Sequence, residues 1–185
     1  MNKTLWVVIG VLVLLVLWGF SSYNSLISLN ESVDAQWAKV ETQYQRRFDL
    51  IPNLVNSVKG ILTQEQKIFG DIADARTRYS GATTANDKAV AASQVEGALG
   101  RLLVIMENYP QLQSSNNVRD LMTQLEGTEN RISVERTRFN DMVRDYNVSV
   151  KKFPKNMIAN MLGFGERAYF EAVTGAETAP TVNLE

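Results

Sequence analysis

Arg46, Arg47 and Asp49, in the run Gln45-Arg46-Arg47-Phe48-Asp49-Leu50-Ile51-Pro52, come nearest to a site by residue type and spacing. Two guanidiniums and a carboxylate within one helical turn can clamp an anionic ligand, because the planar fork of Arg matches a carboxylate or phosphate edge. The same three residues also have a structural reading: beside Pro52 they tie a helix to its neighbour or lie in water, as charges on helices ordinarily do. The structural reading is preferred. A second charged group, Glu126, Glu129 and Glu135 with Arg131, Arg136 and Arg138, is spaced for i, i+3 and i, i+4 pairing along one helix face. Mutual solvation accounts for it without catalysis.

The inventory around these residues is poor in chemistry. The 185 residues include no Cys and no His, which removes the thiolate nucleophile, the imidazole base and the usual nitrogen and sulfur metal ligands together. Serine-triad, cysteine-protease and zinc-hydrolase mechanisms are excluded, and so is a ferritin-like di-iron centre, whose Glu-x-x-His pairs cannot be assembled. Carboxylate-only catalysis and an all-oxygen magnesium site stay open by composition, but no catalytic, cofactor-binding or metal-ligating residue is nominated, and the protein reads as a non-enzyme. The formal charge of −1, from 19 basic and 20 acidic side chains, supplies no basic face to displace counterions from phosphates, so nucleic acid is not an expected partner. Without cysteine there is no disulfide from which to infer a compartment.

Helices must hold these side chains, and the first begins in a membrane-like segment. From Leu5 to Phe20 every residue is apolar or Gly (LWVVIGVLVLLVLWGF), and no charge falls between Lys3 and Glu31. At about 1.5 Å per residue the run spans roughly 24 Å, a little short of the ~30 Å hydrocarbon core, and the uncharged continuation from Ser21 to Leu29 can supply the rest. Trp6 and Trp18 stand near its two ends, where amphipathic rings favour the headgroup boundary. A cleavable signal peptide is the competing reading, with Met1-Asn2-Lys3 as its charged start and Gly19-Phe20-Ser21 as a loose cleavage site. A retained anchor is preferred because Tyr23, Leu26, Leu29, Val33 and Trp37 continue in helical rhythm straight out of the run. Lys3 on one side, against a stretch from 21 to 38 with no Lys or Arg, predicts a cytoplasmic N-terminus and an exported soluble part.

Apolar residues at 26, 29, 33, 37, 40, 44, 48 and 51 advance by threes and fours, the stripe of an amphipathic helix. Pro52 lacks an N–H and clashes with the preceding turn, so the helix should kink or restart near Ile51. A second stripe follows in Leu54, Val55, Val58, Ile61, Leu62, Ile68, Phe69 and Ile72. Ser80 to Asp87 reads as a loop, and Ala91, Val95, Ala98, Leu99, Leu102, Leu103 and Met106 mark a further helix closed at Asn108-Tyr109-Pro110. Asn116 or Asn117 can cap a last long helix whose stripe runs from Val118 to Val150. No useful stretch alternates with period two. The predicted fold is all-α: an N-terminal transmembrane helix followed by an elongated antiparallel helical bundle of up-and-down topology. The expected domains are 1–22 as the anchor, 23–173 as the bundle and 174–185 as a disordered tail, small and polar from Thr174 onward.

Trp37 lies in the first stripe and is read as core. Tyr109 and Tyr146 precede turns, with hydroxyls expected to reach backbone or water. Phe153-Pro154 ends the last long helix, and the segment to Phe164 concentrates Met157, Ile158, Met161, Leu162 and Phe164. It is read as a cap on the bundle, with a membrane-surface or partner-binding helix as the second reading, disfavoured by the lack of a strongly basic polar face.

Tyr23-Asn24-Ser25-Leu26-Ile27, Trp37, and then Arg46-Arg47-Phe48-Asp49-Leu50-Ile51-Pro52-Asn53-Leu54-Val55 with Val58-Lys59-Gly60 resemble the signature of the LemA family. Further matches are Glu107-Asn108-Tyr109-Pro110, Tyr146-Asn147 before Phe153-Pro154, and Ile158-Ala159 before Gly163-Phe164, so the resemblance covers about residues 23 to 170. It implies a helical bundle on an N-terminal transmembrane helix, in bacteria, with no established enzymatic activity and no substrate. Family members often carry a His-Glu pair soon after the Val-Lys-Gly. This chain has Ile61-Leu62-Thr63-Gln64-Glu65, with Glu65 but no His, and cannot reproduce a site built on that pair.

The function expected is that of a single-pass, non-enzymatic scaffold or adaptor in the bacterial inner membrane, presenting helix faces to a protein partner or to further copies of itself. The alternative is an extracytoplasmic sensor or small-ligand-binding module signalling through the continuous first helix, which a buried carboxylate or a well-formed apolar pocket would favour. The predicted orientation is tested by a single cysteine at Thr181→Cys. A membrane-impermeant maleimide should label it in intact cells, and protection until lysis would reverse the topology.

Overall fold

Between Lys3 and Ile51 the residues that weaken a helix most are Gly10 and Gly19, each by about 1 kcal/mol in a helix interior, and the helix passes both. The computed structural model of the protein describes residues 3–62 and 66–170. Every regular element among them is helical: α1 (Lys3–Lys59), α2 (Gln66–Gly81), α3 (Ala85–Glu107), α4 (Pro110–Gln113), α5 (Asn116–Lys151) and α6 (Lys155–Leu162). The fold class is all-α, as the stripes predict. Glu65 and the expected tail at 174–185 lie outside the described residues.

Pro52 does not divide α1: of the kink or restart expected near Ile51, the restart does not occur. Proline costs about 3 kcal/mol inside a helix, here through the lost bond to the Phe48 carbonyl and its ring's contact with the preceding turn. Ile51 and Leu54 on either side are both buried. Burial of such side chains contributes roughly 1.5–3 kcal/mol each, so the stripe outweighs the lost bond. The chain turns instead at Gly60-Ile61-Leu62, where the N–H groups of Ile61 and Leu62 donate to the Val58 carbonyl at 3.0 and 2.9 Å. The second expected stripe is thereby split between the end of α1 and α2.

The loop expected over Ser80–Asp87 shrinks to residues 82–84. Thr84 explains this. Its hydroxyl accepts the Asp87 N–H at 3.1 Å and donates to the Asp87 carboxylate at 2.6 Å, which caps α3 as soon as the chain turns and puts an acid at the positive end of the helix dipole. The turn at Asn108-Tyr109 is followed by the short α4, with Pro110 at its first position, where a missing N–H costs nothing. Asn116 is the first residue of α5, so the capping position falls one residue earlier than expected. The Ser115 carbonyl accepts the Arg119 N–H at 3.0 Å, while Asn117 donates to Ser57 at 2.9 Å.

The described residues form two compact units, 3–39 with 137–169 and 40–136 with 170. In the second, paired residues give the helix directions. Ser57 with Asn117, Arg47 with Glu129 and Tyr44 with Arg136 run α5 antiparallel to α1. Glu41 with Lys88 and Arg47 with Glu96 run α3 parallel to it, and Asp71 with Arg101 and Arg78 with Gln94 make α2 and α3 an antiparallel hairpin. This is the up-and-down order the stripes imply. Its core includes Val40, Tyr44, Phe48 and Leu54 from α1, and the Tyr79 ring of α2 packs on Phe48 and Tyr44 at 4.4 and 5.6 Å.

In the first unit Leu26 and Val33 of α1 are fully buried, and the half-buried Trp37 meets Phe139 of α5 edge-on at 5.3 Å. From Leu5 to Phe20 the side chains of α1 stand exposed, and the most apolar window of this helix has no buried residue. Pro52→Ala restores the bond to Phe48 without disturbing Ile51 or Leu54. It should raise the unfolding free energy by about 1–3 kcal/mol in urea denaturation.

Candidate functional site

Arg47 falls inside the first stripe, three residues after Tyr44 and four before Ile51, so helical geometry aims it at the core of its unit. It is 1% exposed. A buried guanidinium must be neutralised, because an unpaired charge in a low-dielectric interior costs several kcal/mol. Helices α5 and α3 supply the acids: Arg47 Nη2 donates to Glu129, and Nη1 lies 3.9 Å from Glu96. Arg136 of α5 joins them, with Nε donating to the Tyr44 hydroxyl at 3.0 Å and Nη2 lying 3.4 Å from the same Glu96 oxygen. The Arg136 guanidinium is 5.5 Å from the Tyr44 ring centre and 4.5 Å from that of Phe170. Two cations and two anions thus close on one another across three helices.

The electrostatics are those of a structural cluster. Burial pulls the Arg47 guanidinium down to about 10, with Glu96 opposing and Arg136 reinforcing the shift, so the group is still a cation at neutral pH. Burial pushes the Tyr44 phenol up against the pull of Arg136, and burial with the nearby Glu41 raises Tyr79 further. Neither phenol can serve as a base near pH 7. The cavity beside Arg47, lined among others by Glu96, Leu103, Met122, Glu126 and Glu129, holds about 220 Å³. Small-molecule sites commonly run from ~300 to 1,000 Å³. Its acidic walls also repel the anion that a free arginine would attract.

The three residues weighed as a clamp, and read in preference as structural, do not converge. Arg47 is interior, whereas Arg46 and Asp49 are exposed, and Asp49 accepts from Gln45 at 2.9 Å on its own helix. Nor is the second charged group simply a solvated face: Glu129 and Arg136 turn to other helices, and Glu126 borders the cavity. No group of three or more acids among the described residues is placed to hold a metal ion. Sequence reasoning missed Glu96, whose exposure gives no pattern, and underrated Arg47, whose place between Tyr44 and Ile51 was the available signal.

A second set of polar residues organises the other unit. Asn147 of α5 is buried and bonds the backbone of Arg167 in both directions, its Nδ2 donating to the carbonyl and its Oδ1 accepting the N–H, each at 2.9 Å. The Tyr146 hydroxyl donates to the Gly165 carbonyl at 3.0 Å, so it does reach backbone, and burial raises its pKa. Arg167 in turn reaches Asn30 at 3.1 Å and Asp34, both on α1. The segment after α6 is thereby strapped to α5 and α1. The expected cap is incomplete: α6 buries Ile158 and Ala159 but leaves Met157, Met161 and Leu162 exposed.

Residues 36–184 match the pattern that defines the LemA family. Among curated proteins the chain is similar to magnetosome proteins MamQ 1 and MamQ 2 of Paramagnetospirillum magneticum and MamQ of Magnetospirillum gryphiswaldense. Each is 28% identical over 182 residues, covering 84% of this chain and 67% of the relative.

The buried cluster predicts unequal effects for neighbouring charges. Arg47→Gln leaves Glu96 and Glu129 without their cation, but both acids are partly exposed and can rehydrate, so the cost should be about 2 kcal/mol. Asp49→Asn should stay within roughly 0.5 kcal/mol of the parent. Chemical denaturation of the two variants checks the contrast, and equal effects would contradict the burial of Arg47.

Proposed function

Because the chain belongs to the LemA family, we propose that it is a membrane-anchored, non-enzymatic helical scaffold or adaptor that presents helix faces to protein partners, including further copies of itself. The observation that carries this reading is the use of the best chemical candidates as ties: Arg47 and Arg136 pair with Glu129 and Glu96 across three helices, with Arg47 Nη1 left without a hydrogen bond. A group already spent on a neighbouring helix is a poor catalyst, because taking it into a transition state removes it from the fold. The exposed run from Leu5 to Phe20 supports the anchor, since so many apolar side chains in water would be a large unfavourable surface. The magnetosome relatives are named for a structure and not for a reaction, which fits a role in assembly.

In this reading residues 1–22 are the anchor in the bacterial inner membrane, 23–173 form the extracytoplasmic bundle and 174–185 are a tail. Exposed apolar side chains such as Val104 on α3 and Val134 on α5 offer contact points for a partner. The sensor alternative is less well supported, since the cavity beside Arg47 is small and its acids are partly exposed.

The experiment is a mutant series at Trp37, Arg47 and Asp49, read for cellular phenotype, melting temperature and co-purification from native membranes. Loss of function should track loss of stability or of association, with Trp37→Ala and Arg47→Gln impaired and Asp49→Asn close to the parent. A variant that is fully stable, fully associated and inactive would reject the scaffold in favour of chemistry at these positions.

A further inference from the structure

The short helix α6 leaves an apolar face uncovered: Met157 and Met161 are 64% and 75% exposed, as open as Leu14 of the hydrophobic run at 67%, and Phe153 just before the helix is 73% exposed. Scattered exposed apolar residues need no explanation, but four large ones with Leu162 within ten positions do. Their level along α1 identifies what covers them. Lys155, at the start of α6, donates to Ser25 of α1 at 2.9 Å. At the other end Ile158, Met161 and Leu162 share an apolar groove with Leu15, Val16, Trp18, Gly19 and Phe20. Helix α6 therefore runs antiparallel to α1 from Ser25 towards Leu15, a stretch of about 15 Å at 1.5 Å per residue. If the run from Leu5 to Phe20 occupies hydrocarbon, the last turn of α6 is at hydrocarbon depth too.

We propose that α6 is inserted into the bilayer beside the anchor, with Met157, Met161 and Leu162 among the acyl chains of the leaflet from which α1 emerges. The inference rests on the anchor reading above and adds a second membrane-embedded element to it. The polar chemistry is arranged for this depth. At the entry of the helix Lys151 and Lys155 hold Glu166 and Ser25, and the exposed Lys152 beside them has a long cationic stem that can reach the phosphates of an anionic leaflet while its methylenes stay apolar. At the deep end Gly163 takes the left-handed conformation, φ 78°, and the Phe164 N–H folds back to the Ala159 carbonyl at 2.9 Å. That closure engages the Ala159 carbonyl and the Gly163 and Phe164 N–H groups, which lipid could not hydrogen-bond. The Phe164 ring then meets Tyr23 at 6.1 Å, and the strap returns to charged partners at Glu166–Lys151 and Arg167–Asp34.

The test uses the full-length protein reconstituted in vesicles of phosphatidylcholine and phosphatidylglycerol, with single cysteines at Leu14, Met161 and Met142 carrying an environment-sensitive fluorophore. The chain has no native cysteine to interfere. Lipids bearing a nitroxide on the acyl chain should quench Met161→Cys to the same degree as Leu14→Cys, while Met142→Cys, on α5, should respond to aqueous iodide only. Met157→Cys, on the same face of α6, provides a second position, and circular dichroism confirms that each labelled variant is folded. Quenching at Leu14 with a water-exposed label at both Met157 and Met161 would overturn the insertion of α6 and leave the anchor standing. A Leu14 label that lipid nitroxides do not quench would reject the anchor and the insertion with it.

Discussion

A guanidinium buried at Arg47 sets the terms for the unit around it. Once that side chain is carried into the core by the α1 stripe, its charge has to be met from other helices, and the acids that meet it, Glu96 on α3 and Glu129 on α5, lie 49 and 82 positions away in the chain. Those two contacts restrict how α3 and α5 can slide along α1, since a shift of one turn, about 5.4 Å, would strand the cation. Apolar packing tolerates such slips more readily, because leucine against valine is nearly as good as leucine against alanine one turn away. The cluster therefore contributes register as much as stability. Tyr44 and Arg136 extend it by sharing Glu96 and the phenol oxygen.

The same logic operates in the unit that holds the hydrophobic run, with neutral groups in place of charges. Asn147 acts there as a short piece of β-ladder, offering a donor and an acceptor to the backbone of Arg167. A buried amide that satisfies both its own polar atoms and an unpaired stretch of backbone removes two desolvation costs at once. The strap so held brings Arg167 to Asn30 and Asp34, and it leaves α6 projecting along the apolar part of α1. The uncovered face of that helix follows from the chain's return: Tyr146 and Asn147 bind the segment after α6, not α6 itself.

Part of the family resemblance falls on these ties and on the core. Arg47 and Asn147 are buried, Tyr146 and Gly163 shape the strap, and Leu54 and Val58 fill the core. Others are exposed, among them Asn24, Arg46, Asp49, Asn53, Lys59, Glu107 and Phe153.

Helix content, the continuity of the hydrophobic run with the first amphipathic stripe, and the absence of thiol and imidazole chemistry were all decided by the sequence, because each depends on local spacing or on residue type alone. The stripe at 40, 44, 48 and 51 identifies its buried face without reference to any partner. Three features were decided by tertiary structure. Pro52 stays inside α1 because burial of Ile51 and Leu54 outweighs a local penalty that sequence spacing registers at full strength. Glu129 and Arg136 leave their expected pairing within one helix because a buried cation and a phenol on α1 attract them more than exposed neighbours do. The face that α6 leaves open depends on where the following strap is tied, through contacts such as Arg167 to Asp34 that lie 133 positions apart. Contacts of that separation have no local signal, since their energy exists only once the intervening helices have packed.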